Sequence, residues 1–182
     1  KLNSDIEEKL TKIGVKKGDF VIGGGFRLEA GKRPELWLEA FKECRNRNNK
    51  FKGIIVGGGS MENSLVEWIK ESNLRDCVHL IGEIEDVAGW LEIMDIFLFT
   101  SSAEGLPNVL IEAQGFSTPV VSTDVGGVGE VVIDGKTGIL VDSAEPSKLA
   151  DAVIQIHETK NLEKMGLEAE KMARERFSVQ SM

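Results

Sequence analysis

Short apolar runs, each closed by glycines or hydroxyl residues and followed by a stretch of helical period, recur along the chain. Phe20-Val21-Ile22-Gly23 leads into a glycine loop at Gly23-Gly24-Gly25, and Phe51 to Val56 leads into Gly57-Gly58-Gly59. Val78 to Ile81 ends at Gly82, Asp95 to Phe99 ends at Thr100-Ser101-Ser102, and Pro119 to Ser122 and Ile139 to Val141 add two further runs. Residues this apolar read as strands buried on both faces. Helices are expected between them. A short leading helix carries Ile6, Leu10 and Ile13, opened by a capping box at Ser4 and Glu7 and stopped by Gly14. Further helices run from Pro34 to about Asn46, along Met61, Leu65 and Ile69, from Val87 to Ile93, after Pro107, and from Pro146 and Leu162; Gly129 to Val132 makes a brief helix at most. The alternation predicts an α/β fold, a Rossmann-like parallel sheet with helices on both faces. Its ligands bind beyond the carboxyl ends of the strands, where these glycine-rich turns lie.

A chain of 182 residues, 41% hydrophobic, suits a single domain spanning 1–182. Net charge of −8 and a pI near 4.9 argue against a nucleic-acid backbone as partner, while a small anion needs only a local basic pocket. Cys44 shares a helical face with Leu36, Trp37, Ala40 and Phe41, and Cys77 adjoins a strand; two isolated thiols make neither a disulfide framework nor a zinc site and suit a reducing cytoplasm. No apolar run has the length of a membrane helix. The absence of an initial methionine and of a tail after the last helical pattern reads as a fragment cut from a longer protein.

The site is expected at Glu104-Gly105-Leu106-Pro107-Asn108-Val109-Leu110-Ile111-Glu112. Ser101 to Gly105 reads as a turn and Pro107 as the first helical residue, where its missing N–H costs nothing. Free amides at Leu106, Asn108 and Val109 would then offer the positive end of a helix dipole to a phosphate or a cluster of hydroxyls. Glu112 lies roughly 7.5 Å along the axis from Pro107, leaning back, so that it and Glu104 reach one pocket. Taken alone, such carboxylates also suit a solvated helix start.

The segment from Ser101 to Val141, with EGLPNVLIEA, GFSTPVVSTDVGGVGEVV and DGKTGILV, resembles the group 1 glycosyltransferases, a large retaining family (family 4) of GT-B fold. Two glutamates separated by seven residues mark that family, and Glu104 and Glu112 match the spacing. The resemblance spans about Phe20 to Phe177 and implies the C-terminal, donor-binding domain. It assigns Glu104 to the donor sugar's hydroxyls and Glu112 to the ribose.

A second candidate is the loop from Gly23 to Lys32, where Gly24 and Gly25 let backbone approach a ligand and Arg27 and Lys32 suit a diphosphate, the first as a fork, the second as a point charge. As residues alone they also read as exposed loop cations. The family carries an arginine and a lysine at this spacing, both on the donor diphosphate, so the resemblance adds Arg27 and Lys32 to Glu104 as catalytic residues. The chain departs from the family in having Phe26 before the arginine and Arg33-Pro34 after the lysine, both glycine positions in the usual pattern. The triple glycine is no dinucleotide fingerprint, since Leu28 stands where a third glycine would be needed. In His79-Leu80-Ile81-Gly82-Glu83-Ile84 the family turns from a strand to a backbone contact with the nucleobase, which assigns Ile84 to the base. Gly126, Gly127 and Glu130 match a supporting loop.

His79 and His157 read as structural residues, no cluster has metal-ligand spacing, and the three tryptophans read as packing. The implied activity of the intact protein is a hexosyltransferase-like transfer of sugar, with retention, from a nucleotide diphosphate sugar to an acceptor hydroxyl. No cofactor or metal is expected. The stretch KRPELW is similar to members working on bacterial surface polysaccharides. The resemblance places the acceptor site in an N-terminal domain that this chain lacks, so the fragment alone should be inactive, and any membrane contact, at the inner face, belongs to that domain. The competing reading is a non-catalytic nucleotide-binding or interaction module with the same fold.

Overall fold

The computed structural model describes residues 4–159 and 161–177. In chain order the elements are α1 (Ser4–Lys12), β1 (Phe20–Gly25), α2 (Pro34–Arg47), β2 (Phe51–Val56), α3 (Glu62–Glu71), β3 (Val78–Gly82), α4 (Ala88–Leu91), β4 (Ile96–Phe99), α5 (Asn108–Gly115), β5 (Val120–Thr123), α6 (Val128–Val131), β6 (Gly138–Val141), α7 (Pro146–Glu158) and α8 (Leu162–Phe177). The capping box expected at Ser4 and Glu7 lies outside the described side chains.

All strand pairs are parallel, and the sheet order is β3-β2-β1-β4-β5-β6. Every position of β1, β4 and β5 is buried. Because successive side chains point to opposite faces, this means that both faces are covered, as the runs without polar alternation predict. The fold is Rossmann-like. The connection from β1 runs outward to β2 and that from β4 to β5, so the chain reverses its winding between β1 and β4 and a crevice opens at their carboxyl ends.

Packing explains why α2 sits where it does. Its face of Leu36, Trp37, Ala40, Phe41 and Cys44 is buried. The Trp37 indole stacks on Phe41 with centroids 5.6 Å apart at 4°, and its Nε1 donates to the Leu98 carbonyl at 3.1 Å. That bond satisfies the ring's polar atom, so a fully buried tryptophan gains its area without an orphaned donor. α2 also packs on α7, and α5 on α8.

The structure corrects two sequence expectations here. Gly23, Gly24 and Gly25 do not open a loop; they complete β1, paired with Ile54, Ile55 and Val56. They are glycines because of their neighbours. A Cβ on Gly24 would come within 2.8 Å of Trp37 Nε1, and one on Gly23 would overlap the Met94 thioether. The short helix near Val87 is also trimmed to Ala88–Leu91, with Val87 as its cap residue.

Both histidines lie away from the crevice. His157 packs edge-on against Phe20 at 4.6 Å and Phe51 at 4.9 Å, the first residues of β1 and β2 and therefore the opposite end of the sheet. His79 lies within β3 at the sheet edge, where burial lowers its pKa from the ordinary value. Cys44 and Cys77 are buried free thiols, and burial pushes the Cys44 pKa up to about 12. No described helix is long and apolar enough to cross a membrane.

Candidate donor site at the switch point

Beyond β1 the chain stays zipped to the end of β2 and the segment that follows it. Phe26 N–H donates to the Val56 carbonyl, Leu28 N–H to Gly58 and Met61 N–H to Leu28, each at 3.0 Å. Phe26 and Leu28 are buried and Arg27 between them is exposed, so the extended backbone turns the cation out of the core. A cleft of about 450 Å³ lies there, with Gly25, Arg27, Gly58, Ile84, Val109 and Glu112 on its walls. It brings together residues from the ends of β1, β2 and β3 and the first turns of α5. Glu29 shares this cleft, its carboxylate held by the Ser60 hydroxyl at 2.9 Å.

The loop then makes a 3-10 turn at Ala30–Lys32 and delivers Lys32 to Glu104, an ion pair that joins the segments beyond β1 and β4. The Lys32 side chain is 31% exposed and that of Glu104 11%. Lys32 Nζ also stands 5.9 Å from the centre of the Phe99 ring. Bonds around the pair brace the two segments. Ser102 donates its N–H and its hydroxyl to the Gly31 carbonyl, both at 2.9 Å, and the Thr100 hydroxyl donates to the carbonyls of Lys32 and Arg33, both at 3.0 Å.

The β5 to α6 turn forms the floor under Glu104. Gly127 N–H donates to the Glu104 carbonyl at 3.2 Å, and a Cβ at Gly127 would overlap the Gly105 carbonyl. Gly126 has φ of +51° and equally lacks room for a Cβ beside the Glu104 carbonyl. The sequence pairing of these glycines with the Glu104 motif is thus a backbone contact.

Pro107 corrects another expectation. It is the cap residue of α5 and not its first helical residue, because its ψ of 93° is extended, and the helix begins at Asn108. No side chain caps this end, and the first helical bond runs from Leu110 N–H to the Pro107 carbonyl at 3.0 Å. Asn108 and Gly105 are exposed, Leu106 is 48% exposed and Pro107 is buried.

The sequence-derived residues therefore fall into groups. Gly25, Arg27, Ile84, Val109 and Glu112 share the cleft. Lys32 and Glu104 face one another where the turn beyond β1 meets the segment beyond β4, and neither is among the residues that line the cleft. Gly105, Leu106, Pro107 and Asn108 form the backbone leading into α5, and Gly24 packs beneath Trp37 and Phe26 in the sheet. Among the described residues no three His, Cys, Asp or Glu side chains gather into a metal-binding group.

Arg33 is the residue that pattern reading passed over. It takes the left-handed conformation, φ 50° and ψ 55°, and caps α2. Its guanidinium donates through Nε to the Thr100 carbonyl at 2.7 Å, and through Nη2 to the Ser101 carbonyl and to Thr123 Oγ1 at 3.3 Å. Burial lowers its pKa. The signal available in sequence was an arginine standing where the motif has glycine.

A model of the family described as "Glycosyl transferases group 1" matches residues 5–174. The chain belongs to the group 1 glycosyl transferases. Over 187 aligned residues it is 30% identical to the Vi polysaccharide biosynthesis protein VipC/TviE of Salmonella typhi, covering 99% of this chain and 32% of that one. It is 29% identical to the capsular polysaccharide biosynthesis glycosyltransferase CapM of Staphylococcus aureus, over 98% of this chain and 47% of that protein. Among solved structures, that of Anabaena Alr3699/HepE in complex with UDP and glucose superposes with a TM-score of 0.89 at 26% identity, over 100% of this chain and 50% of that one. The group 1 chain thus spans about a third to a half of these proteins and shares the sheet architecture of GT-B glycosyltransferases.

Proposed function

We propose that the chain is the donor-binding domain of a retaining glycosyltransferase that moves a hexose from a nucleoside diphosphate sugar to an acceptor hydroxyl, in the synthesis of a bacterial surface polysaccharide. The observation that carries this reading is the ion pair that joins the Lys32 loop beyond β1 to the Glu104 loop beyond β4, the two strands at which the winding reverses, together with a cleft walled by Arg27 and Glu112. The UDP complexes of the Anabaena relative and the polysaccharide names of the Salmonella and Staphylococcus relatives support it.

The chemistry follows charge. As the bond from the anomeric carbon to phosphate breaks, negative charge grows on the departing diphosphate. Arg27 and Lys32 then stabilise it, with the uncapped amides at the start of α5. Glu112 holds the ribose from the cleft wall, Ile84 meets the base through its backbone, and Glu104 receives hydroxyls of the sugar. The donor arrives at an ion pair already made: its diphosphate replaces Glu104 as partner of Lys32 and frees the carboxylate for the sugar. No cofactor enters this reading, because the two cations offset the leaving charge. An N-terminal domain of the longer protein supplies the acceptor site and any contact with the inner membrane face, so the chain by itself binds donor in the cytoplasm without turning it over.

Transfer by the full-length protein from UDP-glucose and other labelled donors, with the product anomer read by NMR, tests this proposal. Retention of the donor's anomeric configuration is expected, and an inverted product would contradict it.

A further inference from the structure

We propose that Arg33 is a positioning residue that holds Lys32 and Glu104 in register for the donor, by clamping the segment beyond β4 to the turn beyond β1. This rests on the donor reading above.

Three observations converge. First, Arg33 follows Lys32 directly, so whatever fixes its backbone fixes the lysine's. The Thr100 hydroxyl bonds both the Lys32 and the Arg33 carbonyl, and Arg33 Nε returns a bond to the Thr100 carbonyl at 2.7 Å. The two residues are thus locked in both directions. Second, Nη2 reaches the Ser101 carbonyl and Thr123 Oγ1, while the Thr123 hydroxyl itself donates to the Ser101 carbonyl at 2.8 Å. One planar guanidinium therefore joins the ends of β4 and β5 to the start of α2. A lysine, with a single point charge, has no fork with which to span these acceptors. Third, an arginine here sustains a left-handed backbone, a conformation that glycine takes at no cost and that other side chains rarely adopt. A strained backbone persists where its surroundings over-determine it, and here the side chain's own bonds do so.

The same strain supplies a clean test. Arg33→Gly keeps the φ of 50° comfortable while it removes the side chain and with it the guanidinium's bonds, so the global fold survives. Hydrogen exchange of the parent and the variant reads the clamp without any ligand. The Ser102 amide, bonded to the Gly31 carbonyl, should exchange on the order of tenfold faster in Arg33→Gly, while amides of β2 hold their rates. Arg33→Lys should recover only part of the protection. Calorimetry with UDP and UMP reads the consequence: the variant should lose about tenfold in UDP affinity with UMP binding little changed, because the second phosphate is the one that Lys32 meets.

Unchanged exchange at Ser102 would overturn the clamp whatever the ligand results. Faster exchange with an unaltered ratio of UDP to UMP affinity would overturn the positioning role while leaving the donor reading standing. A parent that binds none of UDP, GDP and ADP, as this chain and as the full-length protein, would overturn both.

Discussion

Lys32 and Glu104 stand 72 positions apart in sequence and pair through Lys32 Nζ and Glu104 Oε1 at the junction of the segments beyond β1 and β4. The pair is sheltered for the most part but not fully buried, which sets its worth between that of an exposed ion pair and that of a buried one. Lys32→Met leaves the Glu104 carboxylate without its partner and should lower the unfolding free energy by about 1–2 kcal/mol. Adding Glu104→Gln should return part of that loss, an interaction visible in a double-mutant cycle by urea denaturation.

The same pair gives an opposite signature in binding. Glu104→Gln releases Lys32, so UDP affinity should rise severalfold while sugar transfer by the full-length protein falls. Loss of both together would assign Glu104 to holding the loop and not to the sugar.

Gly127→Ala should shift the Glu104 loop. Its Cβ would overlap the Gly105 carbonyl, an overpacking whose cost is about 1–3 kcal/mol, and nucleotide affinity should drop with it. Gly129→Ala serves as the control, because its Cβ meets nothing closer than 3.9 Å and alanine favours the α6 helix. Thermal melting of the two variants separates a collision from a general effect of alanine.

Stability should fall in mild acid because of His79. Burial, followed by the charge of Lys52, depresses its pKa in the fold below the ordinary 6.5. The neutral ring is therefore favoured in the native state, and the unfolded chain takes up a proton first as pH falls below 6.5. The contribution is fully present above that value and is lost between it and the lower native pKa, with a slope of at most about 1.4 kcal/mol per pH unit. Urea denaturation at pH 7.5 and 5.5 checks this, and His79→Gln should flatten the difference.

Much of the architecture is legible in local pattern. Phe51–Val56 and the run ending at Phe99 are read almost to the residue, because continuous apolar stretches between turn residues leave a parallel buried strand as the fitting element. Propensity reads the glycines at 23–25 as a loop, whereas Met94 and Trp37 demand the small size of Gly23 and Gly24 inside the strand; tertiary packing overrides local preference. Pro107 missed its place by one residue because an extended ψ keeps it outside the helix. The Lys32 to Glu104 pair and the Arg33 clamp join positions about 70 residues apart, and no local period carries such information. Arg27, Ile84 and Glu112, which the sequence motifs single out from three separate segments, do line one cleft.

Calorimetric titration of the chain with UDP, GDP, ADP and CMP, alongside Arg27→Ala and Glu112→Gln, tests the donor assignment most directly. Binding of UDP, weakened at least about tenfold by Arg27→Ala through loss of a charged phosphate contact and measurably by Glu112→Gln, with the melting temperature of each variant held, is the predicted result. Nucleotide affinity equal in the parent and both folded variants, or no binding of any nucleotide by either this chain or the full-length protein, would contradict it.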